Sequence, residues 1–201
     1  MPSLCTIPSA VRPLQSSPDA PLRTRALDVG AGIGRVTQTV LLHLFSDVVL
    51  LEPVEKFVQE AFQTCQISLD QQKLPRPKRW KGVSEKSKSV TFLKGALQQF
   101  DPSHPDIQTT RVGHLGYAGE TDTCFDIIWC QWCLGHLSDE ALVSFFQRAK
   151  ASLRSTSDSL IVVKENLCKD QSDNRPRTVY DEQDSSLTRS VPVALALGSC
   201  V

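Results

Sequence analysis

The chain of 201 residues has no net charge, with 22 lysines and arginines set against 22 aspartates and glutamates. That balance predicts neither nucleic-acid nor membrane binding from bulk charge, and leaves the stretch from Lys73 to Lys88 as the one local basic cluster that could still matter. No apolar run approaches the roughly 20 residues of a membrane-spanning helix. The first residues hold prolines and serines but lack a basic flank followed by an apolar core, so no secretory signal is read there. Seven cysteines, at positions 5, 65, 124, 130, 133, 168 and 200, lack the even count and regular spacing of a disulfide framework. A reducing compartment, cytosol or nucleus, is expected.

What is there suffices for one domain with a core, since 40% of residues are hydrophobic. Residues 1–24 are proline-rich and aperiodic, and read as a flexible leader. From residue 25 the pattern changes. Short apolar runs over 26–29, 48–51, 90–93, 125–129 and 160–163 read as buried strands. Between them lie helical periods: Val36, Val40, Leu41 and Leu44; then Phe57, Val58, Ala61 and Phe62; then Leu142, Phe145, Phe146, Ala149 and Leu153 behind a Ser138 N-cap. The polar segments 71–89 and 101–123 read as loops. Strands alternating with helices predict a parallel sheet with helices on both faces. Ligands bind such sheets outside the carboxyl ends of the strands. Gly30, Glu52, Leu97, Gln98, Gln131 and Asn166 all fall at those ends.

The most informative of these ends is Ala26-Leu-Asp-Val-Gly-Ala-Gly-Ile-Gly-Arg35, a strand that turns through three glycines into a helix. Glycine admits close approach of backbone amides to a ligand, and the helix start adds a positive dipole end. A plain tight turn uses the same glycines, so the pattern alone is weak. Glycines at 30, 32 and 34 set the third one residue earlier than the dinucleotide fingerprint does. Glu52, ending the second strand, suits the ribose of either S-adenosylmethionine or a nicotinamide dinucleotide. At this point both ligands stay open.

Three further blocks stand beside that one: Phe125-Asp-Ile-Ile-Trp-Cys-Gln-Trp-Cys-Leu-Gly-His-Leu-Ser-Asp139, Lys164-Glu-Asn166 and Asp184-Ser-Ser186. Together they resemble the alpha-N-terminal protein methyltransferases, which methylate the exposed amine of proteins beginning Xaa-Pro-Lys. The resemblance implies a Rossmann-like class I S-adenosylmethionine-dependent methyltransferase fold over residues 25–189, with S-adenosylmethionine as cofactor and protein N-terminal tails as partners; charge balance and the lack of a long apolar run point to no nucleic-acid or membrane partner. It implies cofactor contacts at Gly30, Gly32, Arg35, Glu52, Leu97, Gln98 and Gln131. It implies substrate contacts at Trp132, Asn166, Asp181 and Ser186, proton acceptors at His136 and Asp184, and no metal. Taken without the resemblance, His136 reads as a satisfied histidine ahead of a helix, Trp129 as core, and Asp181 and Asp184 as a solvated acidic loop. Cys130 and Cys133 form a lone Cys-x-x-Cys with no second pair, and read as packing residues.

Two parts depart from the family's pattern. Residues 1–24 do not resemble its N-terminal helical cover. Residues 190–201 form an atypical tail that matches none of its last helix and two strands, so the expected fold is C-terminally incomplete and the strand over 160–163 is expected to present an apolar edge. Two other functions compete with catalysis of N-terminal methylation: a catalytically impaired methyltransferase-fold binding or regulatory module, and a nicotinamide-dependent oxidoreductase, which the glycine spacing disfavours.

Overall fold

In β1 (Arg25–Val29) the four residues Ala26, Leu27, Asp28 and Val29 are all buried, as in a strand covered on both faces. The computed structural model describes residues 23–70, 75, 79–155 and 157–199. The leader expected over 1–24 lies outside the described residues, apart from Arg23 and Thr24. Arg23 pairs with buried Asp47 at 2.7 Å, and the Thr24 carbonyl accepts from the Ser46 and Asp47 amides, so both residues join the folded unit.

The remaining strands of the main sheet are β2 (Asp47–Glu52), β3 (Ser89–Lys94), β4 (Thr110–Gly116), β5 (Ile127–Gln131) and β6 (Leu160–Lys164). They lie in the order β4-β3-β2-β1-β5-β6. All neighbours are parallel except β3 and β4. Two details differ from expectation. The strand predicted over 125–129 starts two residues later, because Phe125 is instead buried in a bridge to Leu153. That shift carries Gln131 into the strand end. The segment 101–123 is not all loop, since β4 lies within it. β4 contains two glycines and is exposed or half-buried throughout, so it shows no period of its own. Its neighbours hold it: the Phe62 ring covers Gly113, and His114 Nδ1 meets Thr91 Oγ1 at 2.9 Å.

One face of the sheet is covered by α1 (residues 35–44) and α2 (Glu55–Ser68). α1 contains a π-helical turn, Thr37–Leu41, whose wider winding resets the helical phase. Val36, Thr37, Leu41 and Leu42 are buried as a result, and Leu44, predicted inward, is 67% exposed. In α2 the inward face is Val58, Ala61, Cys65 and Ser68; Phe57, also predicted inward, is exposed. Trp80 completes this side. The segment around it reads as polar loop, yet its ring is 2% exposed and packs at a tilt near Phe92.

The opposite face carries α3 (Asp139–Ala151), capped as predicted by Ser138, whose hydroxyl accepts from the Ala141 amide at 3.2 Å. Leu142, Phe145, Phe146 and Ala149 are buried there with Leu97 and Phe100. Beyond β6 a second, three-stranded sheet forms from β7 (Leu167–Cys168), β8 (Thr178–Asp181) and β9 (Ser186–Ser190), in the order β7-β9-β8. Within the atypical tail, the described residues Val191–Ser199 form a helix, α4, with Pro192 in its first turn, where a missing N–H costs nothing. Leu197 of α4 packs on the core beside α3. β6 is the outer edge of the main sheet, with Leu160 60% and Val163 49% exposed. No described helix is long and apolar enough to cross a membrane.

Candidate active site

β1 sits where the connections of the sheet reverse direction, with β2 on one side and β5 on the other. That switch point opens a crevice at the carboxyl ends, and the glycine turn lines it. Gly30, Gly32 and Gly34 all have left-handed φ, at +63°, +57° and +80°. Their surroundings differ. A Cβ on Gly30 would lie 2.4 Å from the Cys133 Cβ, and one on Gly34 would lie 2.5 Å from the Trp80 ring. These two glycines let the turn press against the protein. A Cβ on Gly32 would meet nothing within 4 Å, so Gly32 faces open space.

The turn is fastened from both sides by carboxylates. Asp28, fully buried in β1, accepts from the Thr37 amide at 3.0 Å and the Thr37 hydroxyl at 2.6 Å, tying the strand to α1. Burial outweighs these hydrogen bonds and pushes its carboxyl up from 3.8 to about 6. Glu52 closes the far side: its two oxygens accept from the Gly32 amide at 2.8 Å and the Val54 amide at 2.9 Å. At the end of β5, Gln131 is nearly buried. Its Oε1 accepts from Trp129 Nε1, and its Nε2 has no partner among the described residues. Open space at Gly32, the unpartnered Nε2 of Gln131 and spare lone pairs on Glu52 fit a polar ligand bearing hydroxyls. Leu97 packs into the core instead, and Gln98, exposed, donates to the His136 carbonyl at 3.3 Å.

Trp132, the next residue after β5, has φ +57° and is 55% exposed. A bulky side chain in the left-handed region is strained, and such strain gathers at functional sites. Its amide is held by the Lys164 carbonyl at 3.0 Å. Lys164 Nζ lies 5.0 Å and the Arg35 guanidinium, just past the glycine turn, 5.9 Å from the indole centroid, and the same ring lines a neighbouring cavity.

That cavity, about 430 Å³, is lined by Trp132, His136, Asn166, Asp184 and Ser186 together with apolar groups from α3, β9 and α4. Five side chains predicted for substrate binding and catalysis thus meet around one space. Asp181 does not join them; it is exposed on β8 and accepts from the Gln183 amide at 2.9 Å. Asp184 is anionic in character: hydrogen bonding from Ser186 and the nearby His136 hold its carboxyl below the usual range. Cys130 is buried with Cys133 beneath the turn, and the hydrogen bond between the two thiols, with burial, keeps Cys130 well above its ordinary value. Glu165 and Arg189, which no motif singles out, also line the cavity. Glu165 had one visible signal, its place between Lys164 and Asn166.

A mainly parallel sheet, helices on both faces and a glycine turn at the switch point define the Rossmann-like class I S-adenosylmethionine-dependent methyltransferase fold. A solved SAM-dependent methyltransferase from Leishmania major shares it, with a TM-score of 0.59 and 28% identity over 89% of this chain and 54% of that one. Residues 11–197 match the model of the AdoMet dependent proline di-methyltransferases, and the chain belongs to that family. The alpha N-terminal protein methyltransferase 1 of Arabidopsis thaliana is 38% identical over 83% of this chain and 46% of its own length. The human N-terminal Xaa-Pro-Lys N-methyltransferase 1 is 32% identical over 90% of this chain and 61% of its own. The chain thus spans about half the length of the curated relatives it matches.

Proposed function

We propose that the chain binds S-adenosylmethionine and methylates the alpha-amino group of proteins beginning Xaa-Pro-Lys. The observation that carries this reading is the single cavity that joins His136, Asp184, Trp132, Asn166 and Ser186, with the Trp132 ring 5.9 Å from Arg35 of the glycine turn segment. The names and family of its relatives support it. They set aside the nicotinamide oxidoreductase.

Gly30, Gly32 and Arg35 would hold the methionine part of the cofactor, Glu52 the ribose and exposed Gln98 the adenine side, with Leu97 packed in the core behind it, and Gln131 would offer its Nε2 amide. When bound, S-adenosylmethionine supplies an electrophilic methyl group on a sulfonium. Such a displacement needs no nucleophile from the protein, so the chain's task is alignment and deprotonation. Trp132 walls the first residues of the tail, Asn166 binds its start, and Ser186 meets its later residues, while Asp181 stays outside the cavity. A free alpha-amine has a pKa of about 7.7 to 8.0, so near neutrality it arrives largely as ammonium. His136 accepts its proton. Asp184, its carboxyl held below the usual range by Ser186 and the nearby His136, is the second acceptor and a fixed anion beside the ammonium. The partner class is therefore a protein tail.

The compartment we propose is the cytosol or nucleus, supported by thiols not joined in disulfides at Cys65, Cys130, Cys133 and Cys168 among the described residues. Cell fractionation tests it. The function is tested by methyl transfer to a short Xaa-Pro-Lys peptide beside the same peptide N-acetylated. Transfer to the free amine alone is expected. Binding of S-adenosylmethionine without transfer to either peptide would replace catalysis with a binding role.

A further inference from the structure

The 3-10 turn Leu134–His136 carries His136 into the cavity, yet it closes on only two long backbone hydrogen bonds, at 3.4 and 3.2 Å. We propose that Glu165 and Arg189 are positioning residues that hold this turn, and with it His136, in place. The proposal rests on His136 being the proton acceptor.

The turn's free groups are divided between two opposite charges. Its leading amides, on Cys133 and Leu134, both donate to one oxygen of Glu165, each at 2.9 Å. Its carbonyls go to Arg189, which donates through Nη2 to Leu137 O at 2.7 Å and through Nη1 to Leu134 O at 3.4 Å. The third arm of the same guanidinium, Nε, reaches Asp139 Oδ1 at 2.8 Å and ties the assembly to the first turn of α3. Arg189 is 6% exposed, so a buried cation serves three acceptors around a short turn. Hydrogen bonds to charged groups are roughly twice as strong as neutral ones. The planar fork of arginine is needed to meet three acceptors at once, which a lysine ammonium on a flexible stem does not reproduce. β9 also lies close: a Cβ on Gly135 would stand 3.1 Å from the Leu187 carbonyl. Glu165 approaches from the end of β6 and Arg189 from β9, so the position of His136 depends on two sheets meeting.

The test uses the full chain and the variants Glu165→Leu, Glu165→Gln and Arg189→Lys. It reads peptide methylation, S-adenosylmethionine affinity by calorimetry, and the NMR resonances of the His136 imidazole. Displacement of about 1 Å at a catalytic group can lower rates on the order of 100-fold, so Glu165→Leu and Arg189→Lys are expected to lose about 10-fold or more in kcat, with peptide KM and cofactor affinity within about 3-fold. The His136 resonances should move or double. Glu165→Gln retains an oxygen acceptor and should keep roughly a third or more of kcat, a rescue that charge alone would not give. Unmoved His136 resonances with kcat within about twofold in both Glu165→Leu and Arg189→Lys would overturn the proposal. If the unsubstituted chain transfers no methyl group, the functional reading falls, and the resonances decide positioning alone: moved in Glu165→Leu and unmoved in Glu165→Gln supports it, unmoved in both overturns it. If Glu165→Leu does not fold, Arg189→Lys carries the same readouts.

Discussion

Replacing Asp28 with asparagine should change how the stability of this protein depends on pH. Asp28 lies buried under the glycine turn, and its carboxyl is pushed from 3.8 to about 6 mainly by burial, against the two hydrogen bonds from Thr37. A raised folded-state pKa means that the native state keeps a proton that the unfolded chain has already lost. Stability from this group is therefore fully present below about pH 4 and is lost as the pH rises through about 6. At 1.36 kcal/mol for each pKa unit, the loss by pH 7 is about 3 kcal/mol. Asparagine keeps an oxygen for Thr37 and cannot ionise. Urea melts of both proteins at half-unit steps from pH 4.5 to 8 measure the difference directly, because acid effects elsewhere are shared. The stability of the unsubstituted chain relative to Asp28→Asn should fall by about 2–3 kcal/mol from the acid to the alkaline end and then level off above about pH 7. A difference that is flat, or that rises with pH, refutes the claim that desolvation dominates at Asp28.

Other substitutions separate packing from chemistry. Gly30→Ala meets Cys133 and an unfavourable φ and should destabilise the fold by about 2–4 kcal/mol, whereas Gly32→Ala carries the φ penalty of about 1–2 kcal/mol and should chiefly weaken cofactor affinity; melts and calorimetry distinguish them. Trp80→Ala should cost about 3–5 kcal/mol in a denaturant melt despite its polar surroundings in sequence. His136→Ala and Asp184→Asn should each cut turnover about 10-fold or more and leave S-adenosylmethionine affinity within about 3-fold; unchanged turnover in both would remove the roles proposed for them. Leu160→Lys, on the exposed edge strand, should raise the soluble fraction on expression without lowering the melting temperature by more than a few degrees.

Where a residue's surroundings are local, its place was legible in the chain. The glycine turn, the Ser138 cap and the α3 face of Leu142, Phe145, Phe146 and Ala149 follow from period and spacing, because backbone conformation and helical phase act over a few residues. The strands that supply Gly30, Glu52 and Gln131 were legible for the same reason, as buried parallel strands write continuous apolar runs. Phase failed in α1, where a π turn rotates Leu44 outward and Thr37 inward. It failed again at β4, an edge strand held by Phe62 and Thr91 and not by any pattern of its own.

By itself the sequence determined a nucleotide-type turn at the end of a central strand and named the side chains that would gather around it. Only the tertiary structure decided which of them gather: Asp184 and Ser186 join His136 and Trp132 around one cavity, and Asp181 stays outside. It also decided that Trp80 is core, that Gly30 and Gly34 serve packing while Gly32 stays open, and that Glu165 and Arg189 hold the turn beneath His136. The physical reason is range. Propensity and period act between neighbours in the chain, whereas burial and charge pairing depend on residues such as Leu134 and Arg189, brought together from distant positions by the packing of two sheets.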